Sequence, residues 1–306
     1  MTGGITLLSE RSAAKRADEP AAARLGLKAS SRLARRLLAS RGIMLGGSVL
    51  CIVCVMALAS PLLAPYDPLA QHPDLSLAEP SLLHPFGTDL LGRDVLSRVI
   101  VGSRQSLLVA VVAISIALTV GTLVGLASGF YEGWVDLLLQ RFIEIQLAFP
   151  GLLLALAIVA VLGPGLGNAM IAVGISLIPS YARMVRASVL TIKHNAYVEA
   201  ARVIGCGDVR VIGMHILPNV GVPILVLTTV AIAWAILIGS SLSFLGLGAQ
   251  PPFAEWGRDL SEGRNYLAVA WWVSTFPGLA ILFTIVSVNL LGDGLRDTLD
   301  PRLRQR

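Results

Sequence analysis

Asp136, Gln140 and Glu144 recur every four residues and so share one face of a helix, with Arg141 placed to pair with Glu144 at i, i+3. Polar groups on or beside a membrane helix are functional candidates by default. The plainer alternative, an interfacial helix end held by the Arg141–Glu144 ion pair, is the preferred reading. The residue types that enzymes use are present but wrongly spaced. His72, His84, His194 and His215 never form the HExxH pair of a zinc protease, and no serine has glycine both two residues before and two after it, the arrangement that exposes a nucleophilic hydroxyl. Lys15, Lys28 and Lys193 are the only lysines and none follows a glycine, so a Walker-type phosphate cradle is excluded. Cys51, Cys54 and Cys206 are too few for a disulfide framework or a four-cysteine zinc site. Cys51 and Cys54 form a CxxC inside an apolar run, where helix packing explains them better than redox chemistry. The expectation is a chain with no catalytic residue, no metal site and no cofactor of its own.

The elements that must carry these residues belong in lipid. Only 14% of the 306 residues are charged, against about 25% in an ordinary soluble domain, and 55% are hydrophobic. Crossing a hydrocarbon core takes about 20 mostly apolar residues. Stretches near Gly42 to Ala64, Ser106 to Ala127, Ile143 to Leu162, Ala169 to Val185, Val222 to Leu245 and Trp271 to Leu291 meet that need. The fold class this predicts is all-α: a polytopic membrane protein with about six transmembrane helices and a natural surrounding of membrane lipid.

The net charge of +5 is concentrated at the termini rather than spread as a nucleic-acid footprint, so no nucleic-acid partner is expected. Arg11, Lys15, Arg16, Arg24, Lys28, Arg32, Arg35, Arg36 and Arg41 precede the first span against only Glu10, Asp18 and Glu19. Arg296, Arg302, Arg304 and Arg306 follow the last span. By the positive-inside rule both termini are expected in the cytoplasm. Ala57-Leu58-Ala59 resembles a signal-peptidase site, but the long basic lead and the long apolar run favour a retained first span.

The organisation expected is a basic cytoplasmic segment at 1–41, a first transmembrane helix at 42–64, an external segment at 65–105, a core at 106–291 containing a cytoplasmic loop at 187–219, and a cytoplasmic tail at 292–306. The external segment holds Pro65, Pro68, Pro73, Pro80 and Pro85 and should be partly irregular. Gly121, Gly125 and Gly129 form a doubled GxxxG that lets helix backbones approach. Gly163-Pro164-Gly165-Leu166-Gly167 marks a short turn between the third and fourth spans.

The loop at 187–219 is unusually polar for this chain. Local rules divide it into two short helices, one capped by Asn195 and stopped by Gly205, the other capped by Asp208 and ended before Pro218. Helices of about nine residues are marginal alone and need something packed on them. Ala200, Ala201 and Gly205 leave a low-relief surface that either another protein or the chain's own spans would cover.

Glu199-Ala200-Ala201, then Gly205, then His215-Ile216-Leu217-Pro218-Asn219 resembles the EAA signature of ABC importer permeases. His84-Pro85-Phe86-Gly87-Thr88-Asp89 and Gly92-Arg93-Asp94-Val95-Leu96-Ser97-Arg98 resemble the external motif of its peptide-importer branch. Ala148-Phe149-Pro150, Tyr181-Ala182-Arg183, the run from Leu242 to Gly248, Trp256-Gly257, the run from Pro277 to Ile281, and the tail from Gly292 to Asp297 with Leu299 to Arg302 are further matches. The chain is therefore identified as resembling the C-type permease of dipeptide, oligopeptide and nickel importers, with a type I importer core in the bacterial cell (inner) membrane.

The resemblance implies a heterodimer with a second, B-type permease subunit, two ATPase subunits that bind ATP and Mg, and an external solute-binding protein. This chain would form half of the pathway for a peptide-like solute, with nickel, glutathione or opine as alternatives in the same branch. Glu199, Ala200, Ala201, Gly205, His215, Leu217, Pro218 and Asn219 would form the ATPase-coupling loop. Glu144 stands where the family more often has Asp, and Cys206-Gly207 where small Ala or Ser is commoner. An ion-driven carrier, the rival class, would carry intramembrane carboxylates and paired interrupted helices; Glu144 is the one candidate carboxylate.

Overall fold

The computed structural model describes residues 40–299. The basic lead before residue 40 and Arg302, Arg304 and Arg306 lie outside the described residues. Nine helices longer than a single turn organise this part of the chain: α1 Arg41–Leu58, α2 Val95–Tyr131, α3 Gly133–Leu147, α4 Gly151–Leu162, α5 Leu166–Ile192, α6 Ala196–Val203, α7 Asp208–Phe244, α8 Trp256–Gly263 and α9 Trp272–Leu299. Among the described residues no strand forms; Thr88 and Asp94 make an isolated bridge.

Four helices, α2, α5, α7 and α9, are long and apolar enough to cross a membrane, and the bent pair α3/α4 makes a fifth. The shorter apolar helix α1, extended by a helical turn at Ser60–Leu63, is the sixth apolar element. The α3/α4 bend is 92°. It falls at Ala148-Phe149-Pro150, where proline offers no amide hydrogen to continue the ladder and pushes Phe149 out of the helical region.

α2 is the spine. Its 37 residues span about 55 Å at 1.5 Å each, and it begins at Val95 rather than at the expected Ser106. The early start has a local cause: the Asp94 carboxylate accepts from the Ser97 backbone N–H at 2.8 Å and from its hydroxyl at 2.7 Å, capping the helix. The GxxxG face of α2 lies on α5 at backbone distance. A Cβ at Gly125 would stand 2.6 Å from the Ala182 carbonyl oxygen, and one at Gly129 would stand 2.8 Å from Val189 Cβ. Only glycine allows that approach.

The connection between α4 and α5 is short, as expected, and the Asn168 amide closes it by donating to the carbonyls of Leu162 at 2.9 Å and Gly163 at 3.0 Å. The connection after α5 differs from expectation. Asn195 stands at the N-cap of α6, but its side chain makes no capping bond. Gly207, not Asp208, is the N-cap of the next helix. That helix does not end before Pro218; it continues as one element to Phe244. A wide turn at Ile212–Ile216, in which Leu217 N–H donates to the Ile212 carbonyl, takes up the proline. The i→i−5 register makes room for a ring that would otherwise clash with the preceding turn.

Four buried clusters hold the bundle, the smallest joining Ile143 of α3 to Ile178 and Ala182 of α5. The largest includes Ala113, Ala117, Val159, Val173, Tyr181, Ala235, Leu242 and Trp256. A second, at the 193–207 end, joins Leu126, Phe130, Val185, Val189, Val198, Ala201, Val211, Ile216 and Val220. The third, at the opposite end, joins Val95, Val99, Ala270, Trp272 and Val273 and is flanked by the Phe86–Phe276 stack, with centroids 3.8 Å apart.

Candidate functional site

α6 is amphipathic, and its two faces have different fates. Val198 and Ala201 are buried in the second cluster against α2, α5 and α7. Glu199, Ala200 and Arg202 are exposed, as are Val203 and Ile204 at 86% and 79%. Of the three small residues that suggest a low-relief surface, Ala201 therefore packs inward while Ala200 and Gly205 are exposed.

The helix stops as Gly205 takes φ +85°, a backbone conformation that glycine adopts at no steric cost. Gly205 N–H donates to the Arg202 carbonyl at 2.9 Å and Cys206 N–H to the Ala201 carbonyl at 3.0 Å. These two bonds are those of a Schellman cap. The turn directs the chain into α7, where Val209 and Met214 are exposed at 85% and 67%. The exposed apolar side chains thus come from both arms of the turn.

His215, Leu217, Pro218 and Asn219 lie on the wide turn and the α-helical turn after it. The Asn219 amide donates to the His215 carbonyl at 2.6 Å, and the His215 ring sits 6.5 Å from that of Tyr197 in α6. The chain thus brings Glu199, Ala200, Gly205 and the 215–219 segment to one end of the bundle. His215 is half-buried, while Leu217, Pro218 and Asn219 are exposed.

The loop is tied to the α2–α3 junction by three cations. The Arg202 guanidinium lies over the Phe130 ring at 4.8 Å from its centroid. Lys193 Nζ pairs with Glu132. Arg186 grips Asp136 with both arms of its fork, Nε to Oδ1 and Nη2 to Oδ2, each at 2.6 Å. Ser128 also donates to Asp136 and accepts from the Gln140 amide at 2.9 Å. Asp136 thus turns away from Glu144, whose expected pair with Arg141 forms at 3.0 Å but lies in the open, with the two side chains 70% and 54% exposed. The signal for Arg186–Asp136 was present in the sequence as charge inside apolar runs, which has to be answered by a partner. Fifty positions of separation hid which partner.

At the other end the 84–98 motif closes on α8. Arg93 bonds Asp89 at 2.5 Å and Glu262 at 2.7 Å, and Arg98 pairs with Asp259 while donating to the Pro68 carbonyl at 3.2 Å. Arg258 joins Glu262 at 3.0 Å. Glu255 caps α8 by accepting from Gly257 and Arg258 N–H at 3.1 and 3.0 Å, and takes a third bond from Ser106. Desolvation pushes the Asp259 carboxyl up to about 6 against the pull of Arg98, and desolvation raises Glu255 too. Glu262 is also desolvated, yet Arg93, Arg258 and Arg98 hold its carboxyl below the usual range. In the sequence this motif stands out by its resemblance alone, which assigns its charges no role. Among the described residues, no three His, Cys, Asp or Glu side chains are grouped so as to hold a metal ion.

Residues 121–305 match the family described as the binding-protein-dependent transport system inner membrane component. Residues 31–85 match the N-terminal transmembrane domain of oligopeptide transport permease C. The di/tripeptide transport system permease protein DppC of Pseudomonas aeruginosa is 46% identical over 267 residues, covering 85% of this chain and 88% of that one. The glutathione transport system permease protein GsiD of Pectobacterium atrosepticum is 42% identical, covering 88% and 90%. The probable D,D-dipeptide transport system permease protein DdpC of Escherichia coli is 44% identical, covering 83% and 85%.

Proposed function

Given that this chain belongs to the binding-protein-dependent transport system inner membrane components, as a C-type permease subunit, we propose that it forms half of an inward pathway for di- or oligopeptides. A B-type permease supplies the other half, and an external binding protein delivers the solute. Two ATPase subunits hold ATP and Mg and dock on the loop at 193–219. The loop faces the cytoplasm with both termini, and the 65–94 segment faces outward, consistent with basic residues before α1 and after α9.

The observation that carries this reading is the two-faced loop: one side is locked into the core by Val198 and Ala201, while Val203, Ile204 and Val209 stand in solvent. Apolar side chains gathered at one exposed turn, with charged Glu199 and Arg202 beside them, have the composition of a partner surface. Two rigid states of the permease pair, selected by ATP-driven closure of the ATPases against this loop, would then alternate access. The relatives, named as di/tripeptide, D,D-dipeptide and glutathione permeases, support peptides, with glutathione as the alternative solute and nickel or opines further off.

The test is reconstitution of the four-part transporter in liposomes with its binding protein. Uptake of labelled di- and tripeptides should need ATP and persist when ionophores collapse ion gradients. An ion-driven carrier would stop at that point. Val203→Asp should reduce copurification of the ATPases by about tenfold, since a charge buried in an interface core goes unpaired. Copurification equal to wild type would remove the loop from the docking surface.

A further inference from the structure

Three contacts from the loop end converge on the short stretch Phe130–Asp136: Arg202 over Phe130, Lys193 to Glu132, and Arg186 to Asp136. Arg186 and Lys193 are seven residues apart, two turns of α5, so they project from one face. Glu132 and Asp136 are likewise one turn apart at the start of α3. The result is a two-rung ladder of ion pairs, and the forked rung is partly shielded, with Arg186 and Asp136 side chains 31% and 18% exposed. Between the rungs Val189 meets the glycine face of α2. Beyond this end α3 keeps a second hold on α5, with Ile143 buried against Ile178 and Ala182. Its other apolar residues, Leu138, Phe142 and Ile145 among them, are exposed, and it breaks from α4 by 92° at Ala148-Phe149-Pro150.

We propose that Asp136 and Arg186 are positioning residues that clamp α3 to the loop end of α5, so that α3 and the docking helix α6 move as one body about the Ala148–Pro150 elbow. The inference rests on the coupling role of the loop and adds how its displacement reaches the broken span. A forked guanidinium–carboxylate pair suits this task because it fixes orientation as well as distance. Pro150 suits the elbow because it removes the hydrogen bond that would otherwise make α3 and α4 one stiff rod.

The test uses the whole transporter in liposomes, with solute moved per ATP hydrolysed as the readout, counted only on complexes that retain their ATPases. Asp136→Asn and Arg186→Gln should each lower that ratio by about tenfold, the size of a typical coupling effect. The exchanged pair Asp136→Arg with Arg186→Asp should recover at least about a third of it, as coupled neighbours do. A merely structural role would lower the yield of complex and leave the ratio unchanged, and an unchanged ratio overturns the proposal.

Should the variants not assemble, spin-label distances decide the matter in an otherwise intact, cysteine-free transporter. Labels at Leu138→Cys and at the exposed Ala196→Cys of α6 should keep their separation between nucleotide-free and ATP-bound states, while labels at Leu138→Cys and Leu153→Cys change theirs. A changed first distance or an unchanged second one overturns the clamp. Absence of ATP-driven uptake by the unmodified transporter would instead overturn the importer reading itself.

Discussion

At the end of the bundle that carries the 84–98 motif, Asp89, Arg93, Arg98 and Asp259 are buried and their charges are answered from within the chain. At the opposite end, α6 and the start of α7 leave Val203, Ile204 and Val209 in solvent, and further along α3 the Arg141–Glu144 ion pair lies exposed. The first region is finished by its own sequence. Burying several charges costs several kcal/mol each unless partners and hydrogen bonds compensate; here each charge has a partner, although Asp259 Oδ2 accepts no hydrogen bond from the described residues, and Trp256 and Trp272 close over the set by donating to the Val99 and Thr88 carbonyls at 2.9 and 3.0 Å. The second region has enough inward apolar surface to stay in place and more outward apolar surface than a free loop needs. A closed end and an open end suit the proposed division, with the binding protein on one side and the ATPases on the other.

The sharpest way to break the comparison is Arg98→Ala. It leaves Asp259 buried without its partner, which costs about 3–5 kcal/mol, and should abolish recovery of folded protein in detergent, measured by monodisperse yield. Ordinary yield and melting would show that this end is no more self-contained than the other.

Titration of Asp259 should have the next largest effect. Its folded pKa, raised from 3.8 to about 6, lies above the unfolded value, so its contribution to stability is full below about 4 and is lost as pH rises through 6. At about 1.36 kcal/mol per unit the span is at most roughly 3 kcal/mol. Asp259→Asn removes that titration, so the melting temperature of wild type minus variant should fall between pH 4 and 6 and stay level above it. A difference independent of pH would mean that Arg98 keeps the carboxylate charged throughout.

Gly205→Val acts at the other end. The open space around Gly205 means no clash; the cost is backbone strain at positive φ, about 1–3 kcal/mol. The protein should insert and fold, while ATP-driven uptake is lost because the Schellman turn no longer aims the two arms. Normal uptake would separate the turn from coupling. The smallest effect is expected of Arg141→Ala: an exposed i, i+3 pair is worth about 0–1 kcal/mol, so the melting temperature and uptake should match wild type. A drop in uptake alone would turn this interfacial pair into a functional contact.

What the linear chain determined by itself was what local chemistry decides. Apolar runs must leave water, Gly205 must end a helix, the glycines and proline at 163–165 must turn the chain, and a GxxxG face must meet another backbone. Each of these follows from a residue and its near neighbours, and each stands in the structure. Continuation of α7 through Pro218 was not legible, because a widened turn absorbs the proline only when Val211, Ile216 and Val220 are held in a packed cluster. Nor was the division of Ala200 from Ala201, since the inward side of α6 is defined by α2, α5 and α7, which the loop's own sequence does not contain. The ion pairs Arg186–Asp136 and Arg98–Asp259 required the fold most of all. Sequence shows that charge in an apolar setting needs a partner, but several acids and bases satisfy that need equally. Only the adjacency of α3 with α5, and of α2 with α8, selects one pairing and brings side chains far apart in the chain within bonding distance.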